Sequence, residues 1–208
     1  NSSLSGLNVT TPYKVSIITF LDELNETAKE VGAVNCIKIT RNQKPETRNQ
    51  KLIGYNTDVF GFETSLINYL KPHHKNALIL GTGGASKAVQ YVLKKLNIEF
   101  LFISRCINPE SRIQNPESRI QYHEIDNKII TSHTLIINTT PLGMHPNENE
   151  CPPLPYQYIS DKHLLFDLVY NPDETLFMKK GKEKNANVVN GIEMLQLQAE
   201  RSWEIWNS

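Results

Sequence analysis

Apolar and polar positions follow one pattern in the first third of the chain and another in the remainder. In the first part, apolar residues recur at helical spacing in 21–31 and 58–70. They alternate with polar residues in 33–40, and a second short apolar run at 52–55 predicts the partner strand of a hairpin. The first third is therefore predicted to be mixed α/β, with a boundary at about 71–76.

After this boundary, short continuous apolar runs alternate with helical patterns. Continuous runs are typical of strands that are covered on both faces, because a half-exposed strand would alternate. The predicted strands lie at 77–80, 100–103, 135–137, 164–166 and 188–189. The predicted helices lie at 85–96, 175–184 and 194–206. Strands that alternate with helices predict an α/β fold with a Rossmann-like, doubly wound parallel sheet.

Two tandem repeats interrupt these patterns. Arg-Asn-Gln-Lys occurs at 41–44 and again at 48–51, and a longer segment at 108–114 recurs at 115–121. Two copies are too few for a solenoid, which needs at least ~3 repeats. Because surface loops tolerate insertions, we expect both repeats to lie in loops without a function of their own.

Composition narrows the classes of partner. The chain has 208 residues, with 22 Lys and Arg against 22 Asp and Glu, so its formal net charge is zero. A balanced chain lacks the basic surface that binds nucleic acid or anionic membranes, and no apolar run approaches the ~20 residues of a membrane span. Cys36, Cys106 and Cys151 are far apart, and the six histidines lack the spacing of metal ligands. We therefore expect a cytoplasmic protein, monomeric or homodimeric, that binds a small molecule and no metal.

A glycine-rich turn follows the first continuous apolar run. The sequence Gly-Thr-Gly-Gly-Ala occupies 81–85, between a predicted strand and a predicted helix. Gly81 can adopt a turn conformation that a Cβ would forbid, and Gly83 and Gly84 allow a pyrophosphate to approach the backbone closely. The helix that follows offers free N–H groups and the positive end of its dipole. This setting predicts a dinucleotide-binding site.

The end of the second strand indicates which dinucleotide binds. An acidic residue there would hold a free ribose 2′-hydroxyl, whereas an arginine accommodates a 2′-phosphate. The residues present are Ser104 and Arg105, with Arg112 and Arg119 nearby in the longer repeat. The sequence therefore favours NADP over NAD.

Several further motifs occur in a fixed order around this turn. They read NVTTPYK at 8–14, GAVN at 32–35, GYNTD at 54–58, INTTPLGM at 137–144 and GIEMLQLQA at 191–199. Each motif is unremarkable alone, but as an ordered set that includes the glycine turn they are specific. On these motifs the chain resembles the shikimate dehydrogenases from Gly6 to Trp206.

The resemblance implies a reaction and a division of the chain. The reaction is the reversible NADPH-dependent reduction of 3-dehydroshikimate to shikimate, in the biosynthesis of chorismate and aromatic amino acids. The implied substrate-binding domain comprises 1–72 together with a C-terminal helix at 191–208, and the implied NADP-binding domain comprises 73–190. Two alternatives stay open: an NAD-dependent quinate/shikimate dehydrogenase, and a dinucleotide-binding protein without turnover.

The resemblance also implies roles for individual residues. Lys14 and Asp58 would form the catalytic pair beside the hydroxyl group that is oxidised. The residues implied to hydrogen-bond the substrate are Thr10, Asn35, Tyr170 and Gln198. The residues implied to contact the cofactor are Gly81, Thr82, Gly83, Gly84, Ala85, Ser104, Arg105, Leu168, Gly191 and Glu26.

The chemistry explains why such a pair is needed. Oxidation of a secondary alcohol by a nicotinamide moves a hydride and releases a hydroxyl proton, which some group must accept and return in the reverse reaction. A lysine serves when partial burial lowers its pKa, whereas a neighbouring carboxylate has the opposite effect. We therefore expect Lys14 and Asp58 to act as a coupled pair, and which of them carries the proton is open.

The sequence departs from the family at two places. Family members carry an upstream strand–helix–strand segment with a Ser-x-Ser element that binds the substrate carboxylate, and these 208 residues do not include it. The resemblance thus implies an N-terminally truncated form. Ser104 and Cys106 flank Arg105 where the family commonly has Asn and Thr.

Overall fold

The computed structural model describes residues 4–41, 50–105 and 119–208. Predictions that fall on residues 1–3, 42–49 and 106–118, among them those for Cys106 and Arg112, lie outside the described residues. Within the described part, no helix has the length and apolar character needed to cross a membrane.

The first part of the chain builds the smaller of two sheets. Its elements are β1 (Gly6–Asn8), β2 (Glu23–Leu24), α1 (Glu26–Val31), β3 (Cys36–Arg41), β4 (Gln50–Tyr55) and α2 (Asp58–Ile67). Among the described residues, the strand order is β1-β3-β4-β2. β3 and β4 pair antiparallel, which confirms the predicted hairpin. A 3₁₀ turn at Ser16–Phe20 precedes β2.

The predicted helix at 21–31 is wrong in its first half. Glu23 and Leu24 form β2, and α1 begins only at Glu26. The Asn25 side chain accepts a hydrogen bond from Ala28 N at 3.0 Å and so caps the helix, while Asn25 N donates to Gly54 O. Pairing with β4 therefore prevails over the helical spacing of the apolar residues before Asn25.

The remainder of the chain builds the larger sheet. Its elements are β5 (Asn76–Leu80), α3 (Gly84–Lys95), β6 (Glu99–Ser104), β7 (Arg119–Gln121), α4 (Asn127–Ser132), β8 (Leu135–Asn138), β9 (Leu164–Asp167), α5 (Leu176–Lys182), β10 (Asn187–Val189) and α6 (Ile192–Asn207). Among the described residues the strand order is β10-β9-β8-β5-β6-β7, with every pair parallel. This order reverses direction at β5, as in a doubly wound sheet, and confirms the predicted fold class.

The larger sheet is covered on both faces, as its continuous apolar strands predict. Within β5, Ala77 and Ile79 join one apolar cluster, and Leu78 and Leu80 join another, and all four are fully buried. The first cluster also contains Phe62 from α2, so it is the layer in which the two parts of the chain meet.

The expectation that both repeats lie in loops is wrong at their ends. Arg41 ends β3, and Gln50 and Lys51 begin β4, so the shorter repeat flanks the predicted hairpin rather than standing apart from it. The last three residues of the longer repeat form β7, which pairs with Phe102 to Ser104 of β6. Without β7, the backbone N–H and C=O groups along this edge of β6 would have no strand to pair with. These three residues therefore form a strand instead of a loop.

Candidate active site

A lysine and an aspartate meet where the two sheets approach each other. Asp58 is the first residue of α2, where the helix dipole favours a carboxylate. Lys14 Nζ donates to Asp58 Oδ2 at 2.6 Å. The side chains of Lys14 and Asp58 are 13% and 7% exposed, so the pair is shielded from bulk water on most sides but still reachable. Such a pair can accept and return a proton.

A buried asparagine fixes the orientation of the carboxylate. Asn35 Nδ2 donates to Asp58 Oδ1 at 2.9 Å, so each carboxylate oxygen has its own donor. The Asn35 Oδ1 atom accepts from Thr57 N at 2.6 Å, which ties the amide to the start of α2. Asn35 is 2% exposed, and its amide orientation is therefore set by protein partners.

The last helix brings a glutamine to the same place. Gln198 Oε1 accepts from Asn35 Nδ2 at 3.2 Å and from Thr57 Oγ1 at 3.4 Å. α6 can approach α2 this closely because Gly61 has no side chain: a Cβ there would lie 2.6 Å from Met194 O. Polar groups far apart in sequence thus converge on one carboxylate.

The glycine turn between β5 and α3 has the shape of a phosphate cradle. Gly81 has φ 103°, and a Cβ on it would lie 2.9 Å from Thr139 Oγ1, so only glycine fits. A Cβ on Gly83 would meet nothing within 4 Å, so the backbone there faces open space. The first N–H groups of α3 have no partners within a helix, and its dipole favours an anion. These residues fit the pyrophosphate of a dinucleotide.

The glycine turn touches the lysine of the pair. A Cβ on Gly84 would lie 3.3 Å from Lys14 Cβ and 3.6 Å from Lys14 Cδ. The methylene stem of Lys14 therefore packs on the first residue of α3, while its ammonium group bonds Asp58. A dinucleotide held at the turn and a substrate held at the Lys14–Asp58 pair would be neighbours.

Comparison with known proteins agrees with this arrangement. A family model described as the shikimate dehydrogenase substrate binding domain matches residues 1–37. Shikimate dehydrogenase (NADP(+)) of Methanosphaera stadtmanae is 37% identical over 98% of this chain and 72% of its own length. The chain belongs to the shikimate dehydrogenase family.

Two solved structures of this family are similar over nearly the whole chain. A chorismate mutase/shikimate 5-dehydrogenase fusion protein from Clostridium acetobutylicum matches with a TM-score of 0.81 and 38% identity, covering 98% of this chain and 71% of that one. Shikimate 5-dehydrogenase from Thermus thermophilus, in complex with NADP(H) and shikimate, matches with a TM-score of 0.79 and 28% identity, covering 99% and 74%.

The other residues that the shikimate dehydrogenase motifs single out are more dispersed. Thr10 is exposed and begins the turn that leads to Lys14, because its carbonyl accepts from Tyr13 N. Tyr170 is 45% exposed on the loop after β9 and makes no hydrogen bond to the Lys14–Asp58 pair. Glu26 is exposed in the first turn of α1. The structure therefore groups Lys14, Asp58, Asn35 and Gln198 and leaves these three outside the group.

Ser104 is the last residue of β6, and Arg105 follows it beside the glycine turn. Gly81 N donates to Ile103 O at 2.9 Å, which holds the turn against the end of β6. Ser104 is buried, and Arg105 is exposed. Arg119 lies in β7, the next strand in the sheet, rather than in the predicted loop.

Leu168 and Gly191 meet at the ends of β9 and β10. A Cβ on Gly191 would lie 2.2 Å from Leu168 O, so glycine is required for this approach. Gly191 N donates to Val169 O at 3.0 Å and fixes the junction. In the strand order this contact lies on the side of β5 opposite to β6, the strand that Arg105 follows.

A buried aspartate next to this junction is absent from the sequence predictions. Asp167, at the end of β9, is fully buried and accepts hydrogen bonds from Asn138 Nδ2, Val169 N and Thr175 Oγ1 at 2.9, 3.0 and 2.6 Å. Burial raises the pKa of Asp167 to about 6, although these donors act in the opposite direction. The signal that could have revealed it is a polar residue ending each of two continuous apolar strands, Asn138 in β8 and Asp167 in β9.

Proposed function

We propose that this protein catalyses the reversible, NADPH-dependent reduction of 3-dehydroshikimate to shikimate. The observation that carries the proposal is the Lys14–Asp58 pair, bonded at 2.6 Å and packed on the glycine turn through Gly84. Membership of the family and relatives named as NADP(+) enzymes support the substrate and the cofactor.

The Lys14–Asp58 pair would supply the proton of the reaction. When bound, NADPH would supply the hydride that the carbonyl carbon receives. The carbonyl oxygen then takes a proton from the Lys14–Asp58 pair and becomes the hydroxyl of shikimate, and the pair regains its proton from water. In the oxidative direction the pair takes the hydroxyl proton. Lys14 Nζ and Asp58 Oδ2 lie 2.6 Å apart, so a proton can pass between the two groups.

The amides around the pair would orient the substrate ring. Asn35 and Gln198 present carbonyl and NH₂ groups beside Asp58, and these are suited to ring hydroxyls. Thr10 and Tyr170, both exposed, would complete the contacts from the two sides of the cleft. Fixed donors and acceptors hold the reacting carbon in one place, which is the main requirement of hydride transfer.

The turn and its neighbours would hold the cofactor. The pyrophosphate would lie on the turn, and the proposed contacts are Gly81, Thr82, Gly83, Gly84 and Ala85. Ser104 and Arg105 would receive the adenosine ribose with its 2′-phosphate. Leu168 and Gly191 would lie near the nicotinamide, with Glu26 at the outer edge of the cofactor site.

The proposed substrate-binding and cofactor-binding parts correspond to the two sheets. The substrate-binding part would comprise 1–72 and 191–208, and the cofactor-binding part 73–190. The close packing of α6 on α2 through Gly61 supports the inclusion of the last helix with the first part.

Steady-state turnover tests the proposal. Purified protein is mixed with 3-dehydroshikimate and NADPH, and the loss of NADPH absorbance is followed, with NADH in parallel reactions. Titration of NADPH by fluorescence provides binding without turnover. We expect turnover with NADPH to exceed turnover with NADH and to fall by ~10²–10⁴-fold in Lys14→Ala, while Lys29→Ala, an exposed change on α1, leaves it intact. NADPH binding without reduction would overturn the proposed reaction and favour a binding protein.

A further inference from the structure

One face of α3 carries polar contacts to the substrate-binding part of the chain. Lys87, Tyr91 and Lys95 are spaced four residues apart and therefore lie along one side of the helix. Lys87 Nζ donates to a backbone carbonyl at 3.1 Å, and Lys95 Nζ bonds a carboxylate at 2.8 Å. A hydrogen bond to a second carboxylate raises the pKa of the Tyr91 hydroxyl. The partners, in the order of the three side chains, are Gly32, Glu30 and Glu63.

The contact of Lys87 is the one nearest the active site. Its acceptor, Gly32 O, lies at the C-terminal cap of α1, where Gly32 has φ 64°. The carbonyl groups at a helix C-terminus carry the negative end of the dipole and attract an ammonium group. Lys87 is half-buried, so water screens this bond less than it screens the exposed Lys95–Glu63 pair.

The loop that Lys87 holds also holds both members of the catalytic pair. Two residues after Gly32, Val34 N donates to Lys14 O at 2.7 Å. The next residue, Asn35, donates to Asp58 Oδ1 at 2.9 Å. The loop at 32–35 therefore connects the ammonium group of Lys87 with the Lys14 backbone and the Asp58 carboxylate.

The same helix touches Lys14 directly. Gly84, the first residue of α3, packs on the Lys14 stem, and Lys87 follows one turn later. We propose that Lys87 is a positioning residue: by bonding Gly32 O, it holds α3 against the loop at 32–35 and so sets the cofactor turn relative to the Lys14–Asp58 pair. This inference rests on the proposed function.

The expected effect of losing this bond is on turnover. Lys87→Met keeps the length of the side chain and removes the donor, so α3 can shift relative to Lys14. Because a shift of ~1 Å can cost ~10²-fold in rate, we expect a smaller shift to lower kcat by about 10-fold. The Kd of NADPH should change by less than about 2-fold, since Lys87 bonds Gly32 and not the glycine turn.

Two further variants separate positioning from folding. Lys87→Arg keeps a cationic donor and should retain at least about half of the wild-type kcat. Lys94→Met removes an exposed lysine two turns after Lys87 on the same helix and should leave kcat unchanged. Tm is measured for all three variants.

A readout without turnover makes the test independent of the proposed reaction. Lysine amines are labelled with a limiting amount of acetic anhydride, and the labelling of Lys14 is quantified by mass spectrometry. Lys14 is 13% exposed and bonded to Asp58, so it should label slowly in the wild type. We expect labelling of Lys14 to increase about 3-fold or more in Lys87→Met and to stay unchanged in Lys94→Met.

The outcomes are distinct. Unchanged kcat and unchanged Lys14 labelling in Lys87→Met would overturn the positioning role. The positioning role would also be overturned if Lys87→Arg lost as much kcat as Lys87→Met. It would be overturned as well if the NADPH Kd rose by the same factor as kcat fell. If the wild type fails to reduce 3-dehydroshikimate, the proposed function fails, and the labelling of Lys14 still decides whether Lys87 positions that side chain.

Discussion

Asn35 Nδ2 lies 2.9 Å from Asp58 Oδ1, while Lys14 Nζ lies 2.6 Å from the other carboxylate oxygen. The carboxylate therefore has a donor on each oxygen and cannot rotate without losing one of them. The same amide accepts the buried Thr57 N–H through its oxygen. The Asn35 side chain thus fixes the orientation of the Asp58 carboxylate and satisfies the backbone where α2 begins.

Replacement of Asn35 should damage both catalysis and folding. Asn35→Ala removes the donor to Asp58 and leaves the Thr57 N–H without its acceptor, at a cost of about 1–3 kcal/mol in the free energy of unfolding. We expect kcat/KM to fall by about 10–100-fold as Asp58 gains freedom. Steady-state kinetics and urea unfolding measure the two effects. Asn187→Ala, an exposed change on β10, serves as the control, and wild-type kinetics in Asn35→Ala would contradict the argument.

Removal of the Lys14 side chain should lower kcat and leave the affinity for the cofactor unchanged. Lys14→Ala takes away one member of the proposed proton-transfer pair, so we expect kcat to fall by ~10²–10⁴-fold, the range for a general acid–base group. The Kd of NADPH, measured by fluorescence, should stay close to the wild-type value. Near-normal turnover would assign the proton to another group.

Substitution of Arg105 should reduce the preference for NADP over NAD. A guanidinium–phosphate contact is charge-assisted and is worth about 1.5–3 kcal/mol, which corresponds to about 10–100-fold in the ratio of kcat/KM values. Arg105→Ala is compared with Arg201→Ala, an exposed arginine on α6. An unchanged ratio in Arg105→Ala would show that the 2′-phosphate is held elsewhere, with Arg119 as the next candidate.

Two neighbouring glycines should respond differently to the same change. A methyl group on Gly84 would press on Lys14 Cβ at 3.3 Å, whereas one on Gly83 would enter open space. Gly84→Ala should therefore lower kcat by about 10-fold through Lys14, and Gly83→Ala should raise the Kd of NADPH by excluding the cofactor. Equal effects of both variants on the two constants would refute the contact between the turn and Lys14.

Because of Asp167, the free energy of unfolding should decrease as pH rises through the acidic range. Its pKa is about 6 in the folded protein against 3.8 as the ordinary value, so the folded state binds more protons between these limits. The difference in unfolding free energy between wild type and Asp167→Asn should therefore decrease as pH rises from about 4 to 7, by up to about 3 kcal/mol.

The comparison of these two proteins isolates Asp167. Burial lowers the pKa of His74 and of His133, so these groups act in the opposite direction in the same interval, and they cancel in the difference. Urea unfolding at several pH values gives the free energies. A difference that stays constant with pH would mean that Asp167 keeps an ordinary pKa in the folded state.

The strands that the sequence predicts well are those whose own residues carry the signal. β5 and β8 are continuous apolar runs because both faces of the larger sheet are covered. β1, β2 and β7 are two or three residues long, and they exist because a neighbouring strand offers hydrogen bonds to a sheet edge. No local pattern of apolar residues marks such strands.

The same distinction holds for the site. The motifs single out Lys14, Asp58, Asn35 and Gln198, and the structure places these four together. The sequence does not predict the contacts of Lys87 and Asp167, because their partners are far away in the chain. Gly32 O is 55 residues before Lys87 in the chain, and the Asn138 amide is 29 residues before Asp167.

The seating of α6 on α2 has a consequence for how the protein is made. Asn35 and Gln198 bond each other across 163 positions, and the whole larger sheet is encoded between them. During synthesis, Lys14, Asn35 and Asp58 therefore leave the ribosome long before α6, the helix that carries Gln198. During that interval the Gly61 side of α2 has no helix against it and stays exposed to water. The hydrogen bonds that join Gln198 to Asn35 and Thr57 therefore form only after all strands of the larger sheet have been synthesised.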